Sequence, residues 1–126
     1  MEAGDGDALH AALRETEEEL GLRPADVRVL GCMRPLLTIT NFWVTPVVGL
    51  LPWPYAFQLN PDEVASVFGI PLDWLADPDH RETRQWDDPQ TGARREAVFF
   101  QPFQGEIVWG VTAQITVDLL TLLQIA

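Results

Sequence analysis

Apolar residues recur at helical spacing near the start of the chain. Leu9, Leu13, Thr16 and Leu20 are separated by four, three and four positions, which draws one stripe along a helix over residues 6–21. Gly21 follows in the position that commonly closes a helix. The pattern then changes period. "RPADVRVLGCM" reads as a turn around Pro24 and Asp26 followed by a strand from about Val27. "NFWVTPVVGLL" (41–51) is β-branched and aromatic and predicts a strand in which Pro46 needs an edge or a bulge. "LPWPYAFQLNPD" (51–62) reads as a proline-rich loop.

In the second half, "EVASVFGIP" (63–71) alternates imperfectly and is expected as a strand, and "PLDWLAD" (71–77) as one helical turn. "HRETRQW" and "ARREAVFF" flank the turn-forming "DDPQTG", which predicts a hairpin. "EIVWG" is a short strand, and "VTAQITVDLLTLLQI" (111–125) is a closing helix with Val111, Ile115, Leu119 and Leu122 on one face. The elements give a mixed α/β (α+β) class, with a helix near each end and no internal repeat.

Composition narrows the function classes. The 126 residues suffice for one domain, 1–126, with a real core. No apolar run approaches a membrane span. "MEAGDGDALH" is acidic and lacks the apolar centre of a secretory signal. The single cysteine, Cys32, excludes an internal disulfide, fits a reducing compartment and leads to a cytoplasmic expectation. Net charge is −11, and all eight basic residues are Arg. That balance argues against nucleic acid as the main partner, because such affinity rests on cationic side chains at phosphates. An anionic substrate would need a metal cation as go-between.

The chemistry concentrates in "RETEEELGL" (14–22), where Glu15, Glu17, Glu18 and Glu19 crowd the end of the first helix. Helix ends of that polarity disfavour acids. At about 100° per residue, Glu15, Glu18 and Glu19 share an arc of about 100° away from the apolar stripe, and Glu17 falls on the other side. Carboxylates at these spacings repel. Converging oxygen donors suit a hard divalent cation such as Mg²⁺ or Mn²⁺, and Arg14 could orient one carboxylate. Spacing alone favours a solvated acidic face, since Glu is also a good helix former.

The order of residues goes further. Arg14, Glu15, Thr16, Glu17, Glu18, Glu19, Leu20, Gly21 and Leu22 resemble the second half of the Nudix box, Arg-Glu-U-x-Glu-Glu-x-Gly-U with U a bulky apolar residue. Thr16 is a mild departure. The resemblance implies a Nudix-like α/β/α sandwich with a mixed sheet, and hydrolysis of nucleoside diphosphates linked to another moiety. It implies Glu15, Glu18 and Glu19 as ligands of Mg²⁺ or Mn²⁺, with Arg14 holding a glutamate. Glu15, Glu18 and Arg14 are the implied catalytic residues, and the general base stays open among Glu15, Glu18 and Glu63.

"VTPVVGLL", "DEVASVFGIPLDWL" and "IVWGVTAQI" extend the likeness to the coenzyme A pyrophosphatase-type branch over most of residues 8–120. The implied reaction cleaves coenzyme A or an acyl-CoA into phosphopantetheine and adenosine 3′,5′-bisphosphate. Another nucleotide diphosphate, such as ADP-ribose or a dinucleotide, is the alternative substrate, and a non-catalytic fragment is the alternative from another class. Two departures stand out. Gly6, flanked by Asp5 and Asp7, occupies the place of the box's first Glu. The family's strands before the box have no counterpart, so the N-terminal strands are expected to be missing from this chain. A start assigned at an internal Met is the favoured explanation over a genuine truncation. Exposed apolar sheet surface and a homo-oligomer are then expected.

Among the remaining residues, packing is the expected role of Trp43, Trp53 and Trp74 in place of adenine stacking. His10 is expected at the surface, His80 in a loop without zinc partners, and Cys32 as a small apolar residue in a strand. Glu63 is expected at a strand start, and "GDGD" (4–7) lacks the remaining ligands of a calcium loop.

Overall fold

The computed structural model describes residues 5–38 and 40–125. Contacts divide the chain into two compact units, Met1–Phe68 and Gly69–Ala126.

The first unit opens with α1 (Asp5–Leu20), within a residue of the helix that the apolar stripe predicts. A single 3₁₀ turn, Pro24–Asp26, leads into β1 (Arg28–Cys32). The expected strand over 41–51 forms as two pieces, β3 (Trp43–Val44) and β4 (Val47–Leu50), on either side of Pro46. Proline has no N–H to give a ladder. Its carbonyl is used instead, accepting from Met33 N–H at 2.8 Å. β4 pairs antiparallel with β1, and the register shifts between Val29 and Gly31, leaving Leu30 as an extra bulged residue. β2 (Leu36–Leu37) pairs with β3 in a short second ribbon. Ala12, Leu13 and Thr16 of α1 face Val29, Val47 and Gly49 across an apolar cleft of about 170 Å³. The helix therefore turns its apolar stripe toward β1 and β4, as its periodicity requires.

The strand expected over 63–71 does not form. Glu63 and Val64 both donate their N–H groups to the Asn60 carbonyl, at 3.0 and 2.9 Å, so the chain turns where an extended strand would begin. Glu63 accordingly lies in a turn and not at a strand start.

The second unit contains α2 (Leu72–Ala76), the β5–β6 hairpin (Arg81–Asp87 and Arg94–Phe100) and α3 (Gly110–Leu122). The hairpin register runs from Arg81 opposite Phe100 to Asp87 opposite Arg94. Its turn is closed by Asp88, whose carboxylate accepts from Gln90 N–H at 2.9 Å and Arg95 Nε at 2.8 Å. The expected strand "EIVWG" is reduced to isolated bridges, Phe103 with Glu106 and Phe99 with Trp109. Leu75, Phe100, Ala113 and Leu120 form the core, with Ile70, Trp74, Val98, Val108 and Val117 packed on it. The buried face of α3 is thus Ala113, Val117 and Leu120. Val111 and Leu122, expected inside, are exposed. This helix is apolar nearly all round, so its period did not fix its phase; the small Ala113, fully buried, allows close approach at this face.

Each sheet among the described residues is a two-stranded antiparallel ribbon. Helices with small antiparallel sheets make an α+β chain, the class that the pattern predicts. No helix of the described residues is long and apolar enough to cross a membrane.

Candidate functional site

The acid cluster follows Arg14 through the last turns of α1, and no basic residue stands in the final turn. The helix ends because Gly21 enters the left-handed region at φ +68° and its N–H returns to Glu17 O at 2.9 Å. Two carbonyls beyond that bond would remain orphaned. They are met from the proline-rich segment: Asn60 N–H donates to Glu19 O and Gln58 N–H to Leu20 O, both at 2.8 Å. The approach is so close that a Cβ on Gly21 would lie 2.8 Å from Gln58 Cβ and 2.9 Å from its nitrogen. Glycine is needed there for its conformation and for its lack of a side chain.

Glu15, Glu17 and Glu18 are exposed, and Glu19 is half-buried. Thr16, inside the motif, turns its hydroxyl back to Ala12 O at 2.6 Å and so spends its polar group within the helix. Among the described residues no ion pair or side-chain hydrogen bond engages Arg14, Glu15, Glu18 or Glu19. Nor are three or more His, Cys, Asp or Glu side chains gathered closely enough to hold a metal ion. The three glutamates share a helix face with their oxygens uncommitted. Carboxylate oxygen is the donor type that a hard divalent cation takes, but here the three side chains are not gathered around one point. Arg14 is exposed, and among the described residues it forms no ion pair with any of the three.

The same segment that closes the helix is tied down further along. Tyr55 donates its hydroxyl to Asp26 at 2.5 Å and accepts from Arg23 N–H at 3.2 Å. The hydrogen bond to the Asp26 carboxylate raises the Tyr55 pKa above its ordinary value. The sequence reading treats residues 51–62 as a loop and misses this role. Backbone-to-backbone bonds leave no residue signature, and only Gly21 hints at a close approach.

The other candidates resolve individually. His10 is exposed on α1. His80 stacks on Trp74 with ring centroids 4.3 Å apart, and its Nδ1 lies 2.6 Å from Trp74 O. Trp74 also meets Phe103 edge-on, which makes it a packing residue as expected. Trp43 and Trp53 are not in the core, being 72% and 62% exposed, and Trp53 lies at the rim with its ring 6.2 Å from that of Phe57. Cys32 is half-buried in β1. Asp5, Gly6 and Asp7 of "GDGD" start the helix and do not form a loop, while Gly4 lies outside the described residues.

Known proteins place this motif in context. Residues 1–91 match the family described as NUDIX domain. The uncharacterized Nudix hydrolase NudL of Pectobacterium atrosepticum is 39% identical over 112 residues, which is 88% of this chain and 56% of that protein. The protein of the same name from Yersinia enterocolitica is 38% identical over 112 residues, covering 88% and 55%. That from Escherichia coli K12 is 36% identical over 115 residues, covering 91% and 58%. The chain spans a little over half the length of these curated relatives. The family match covers most of the chain and includes the acid helix with its closing glycine, so the chain belongs to the Nudix family.

Proposed function

We propose that this chain carries the catalytic helix of a metal-dependent hydrolase of nucleoside diphosphate linkages, with coenzyme A or an acyl-CoA as substrate. The observation that carries the reading is the order Arg14–Leu22 on one helix end, with Glu15, Glu18 and Glu19 on a shared face and free of ion pairs. The relatives' name, Nudix hydrolase, supports the reaction class. The substrate rests on the branch likeness of residues 44–51, 62–75 and 107–115.

Glu15, Glu18 and Glu19 would hold Mg²⁺ or Mn²⁺, which when bound neutralises charge developing on the diphosphate. The chain's own part is to hold the three carboxylates on one rigid face, so that little reorganisation is needed when substrate arrives. The Gln58 and Asn60 bonds stiffen the turn that carries Glu18 and Glu19. Arg14, exposed beside them, is the cation available to orient a glutamate once the face is loaded. Proton removal from the attacking water falls to Glu15, Glu18 or Glu63.

The deciding assay incubates the purified chain with coenzyme A and Mg²⁺ or Mn²⁺ and follows release of adenosine 3′,5′-bisphosphate. Release that EDTA abolishes is the expected result. Hydrolysis of ADP-ribose but not of coenzyme A would move the substrate class while keeping the chemistry. No hydrolysis of either would overturn the catalytic reading for this chain.

A further inference from the structure

Glu17 is the acid of the motif that falls outside the arc of the other three. It lines a cavity of about 580 Å³ together with Arg23, Asp26, Tyr55 and Gln58, all within the unit of residues 1–68. The backbone around this cavity is tied down. Gly21 N–H donates to Glu17 O at 2.9 Å, Gln58 N–H to Leu20 O at 2.8 Å and Arg23 N–H to the Tyr55 hydroxyl at 3.2 Å. The cavity is therefore preformed, and its size falls in the range of about 300–1,000 Å³ usual for small-molecule sites. Its charges are not spent on one another. Among the described residues neither Glu17 nor Arg23 forms an ion pair, and the Gln58 side-chain amide has no partner. Asp26 gives Oδ2 to the Tyr55 hydroxyl and keeps Oδ1 open. That bond raises the Tyr55 pKa, so the phenol stays neutral.

Two carboxylates and one guanidinium leave the cavity with a net negative charge, on a chain of net charge −11. Such a field repels phosphates, so the cavity is not a second seat for a diphosphate. Arg23 in turn disfavours a bare cation. The complement of this set is a small molecule with one carboxylate and two cationic groups. We propose that the cavity binds a free basic α-amino acid of the arginine or lysine kind: Arg23 takes its carboxylate, and Glu17 and Asp26 take its two cations. A guanidinium fork pairs well with a carboxylate. The Tyr55 ring offers a face to the ligand's stem or cation. The bound molecule touches both the helix end and the proline-rich segment, so its binding stabilises the closed helix end by mass action. This site is separate from the metal-dependent reading above and stands or falls without it.

Titration of the purified chain with L-arginine at constant ionic strength, followed by ¹H–¹⁵N NMR shifts, tests the proposal. Saturating shifts should appear at residues 17–26 and 55–58. The expected Kd is about 1 mM, the range for a ligand of about twelve non-hydrogen atoms held by exposed ion pairs. Agmatine lacks the carboxylate, N-acetyl-arginine the α-ammonium and citrulline the side-chain charge. Each should bind about fivefold more weakly than arginine. Arg23→Gln should weaken arginine about fivefold and leave agmatine bound no more weakly than by the parent, because only the carboxylate contact is lost. Glu17→Gln should weaken arginine and agmatine alike. Both substituted side chains are exposed and unpaired, so the fold should tolerate their loss. Absence of saturating shifts overturns the proposal. So does equal affinity of the parent for arginine and agmatine, since Arg23 would then play no part. Tighter binding of adenosine 3′,5′-bisphosphate than of arginine at these residues overturns it too, and gives the cavity to a nucleotide.

Discussion

The two units of the chain are stabilised in different ways. The unit of residues 69–126 has a shared apolar core in which Leu120 and Ala113 are fully buried. The unit of residues 1–68 buries Leu22 and Met33 and exposes Val29, Leu30, Leu37, Phe42, Trp43, Leu50 and Trp53. Its acid helix is held at the C-terminal end by backbone hydrogen bonds and a close glycine contact. The part of the molecule that carries the acid helix is therefore the part with the thinner core. Function and stability should separate under mutation along the same line.

The largest expected effect sharpens that separation. Glu18→Gln should lower metal-dependent turnover by about 10²–10³, the scale seen when one electrostatic group is removed from a reacting centre. Glu18 is exposed and unpaired, so unfolding by urea should shift by no more than about 0.5 kcal/mol. A loss of stability matching the loss of rate would break the comparison. Leu120→Ala is the counterpart in the other unit. Removing a fully buried leucine should cost about 2–5 kcal/mol, whereas Leu30→Ser on the exposed bulge should stay within about 0.5 kcal/mol. Equal costs at the two leucines would show that Leu30 is covered in solution, as association through the apolar ribbon would cause.

How much of this was legible follows from what each element depends on. The acid helix is readable because its stripe, its acid arc and its terminal glycine agree, and the structure keeps all three. The hairpin is readable because "DDPQTG" supplies its own turn, with Asp88 binding Gln90 N–H and the Arg95 side chain. The strand at 63–71 misleads because its imperfect alternation suggests a ladder, whereas Asn60 takes the N–H groups of Glu63 and Val64 where that ladder would begin. The phase of α3 is hidden because nearly every side of it is apolar. Within the site, the face of Glu15, Glu18 and Glu19 can be read from spacing alone. The clamp by Gln58 and Asn60 cannot, since main-chain groups are the same in every residue.

That clamp gives the next smaller effect. Gly21→Ala places a side chain at φ +68°, which costs about 1–2 kcal/mol before any clash with Gln58. Unfolding measured by urea should register at least that loss. The Mn²⁺ affinity of the molecules that remain folded should fall as well, because the Glu19 turn must move to admit the methyl group. Unchanged stability would mean that the helix ends differently in solution.

The smallest effects come from pH, and they have opposite signs in the two units. The Asp88 pKa is held below its ordinary 3.8, first by Gln90 N–H and then by the Arg95 side chain. Its contribution is full above that ordinary value and is lost as pH falls through the lowered one. Tyr55 is raised above 10.0, mainly by its hydrogen bond to Asp26, so the folded state favours the protonated phenol. That contribution is full below pH 10.0 and is lost as pH rises through the raised value. Hydrogen exchange across the pH range should therefore show residues 81–100 loosening first in acid, and residues 20–26 and 55–60 first in alkali. Asp88→Asn should flatten only the acid limb. Tyr55→Phe should flatten only the alkaline limb, and weakly, because Gln58 and Asn60 still bind the helix end. An alkaline limb that survives Tyr55→Phe in full would mean that a titrating group other than Tyr55 sets it.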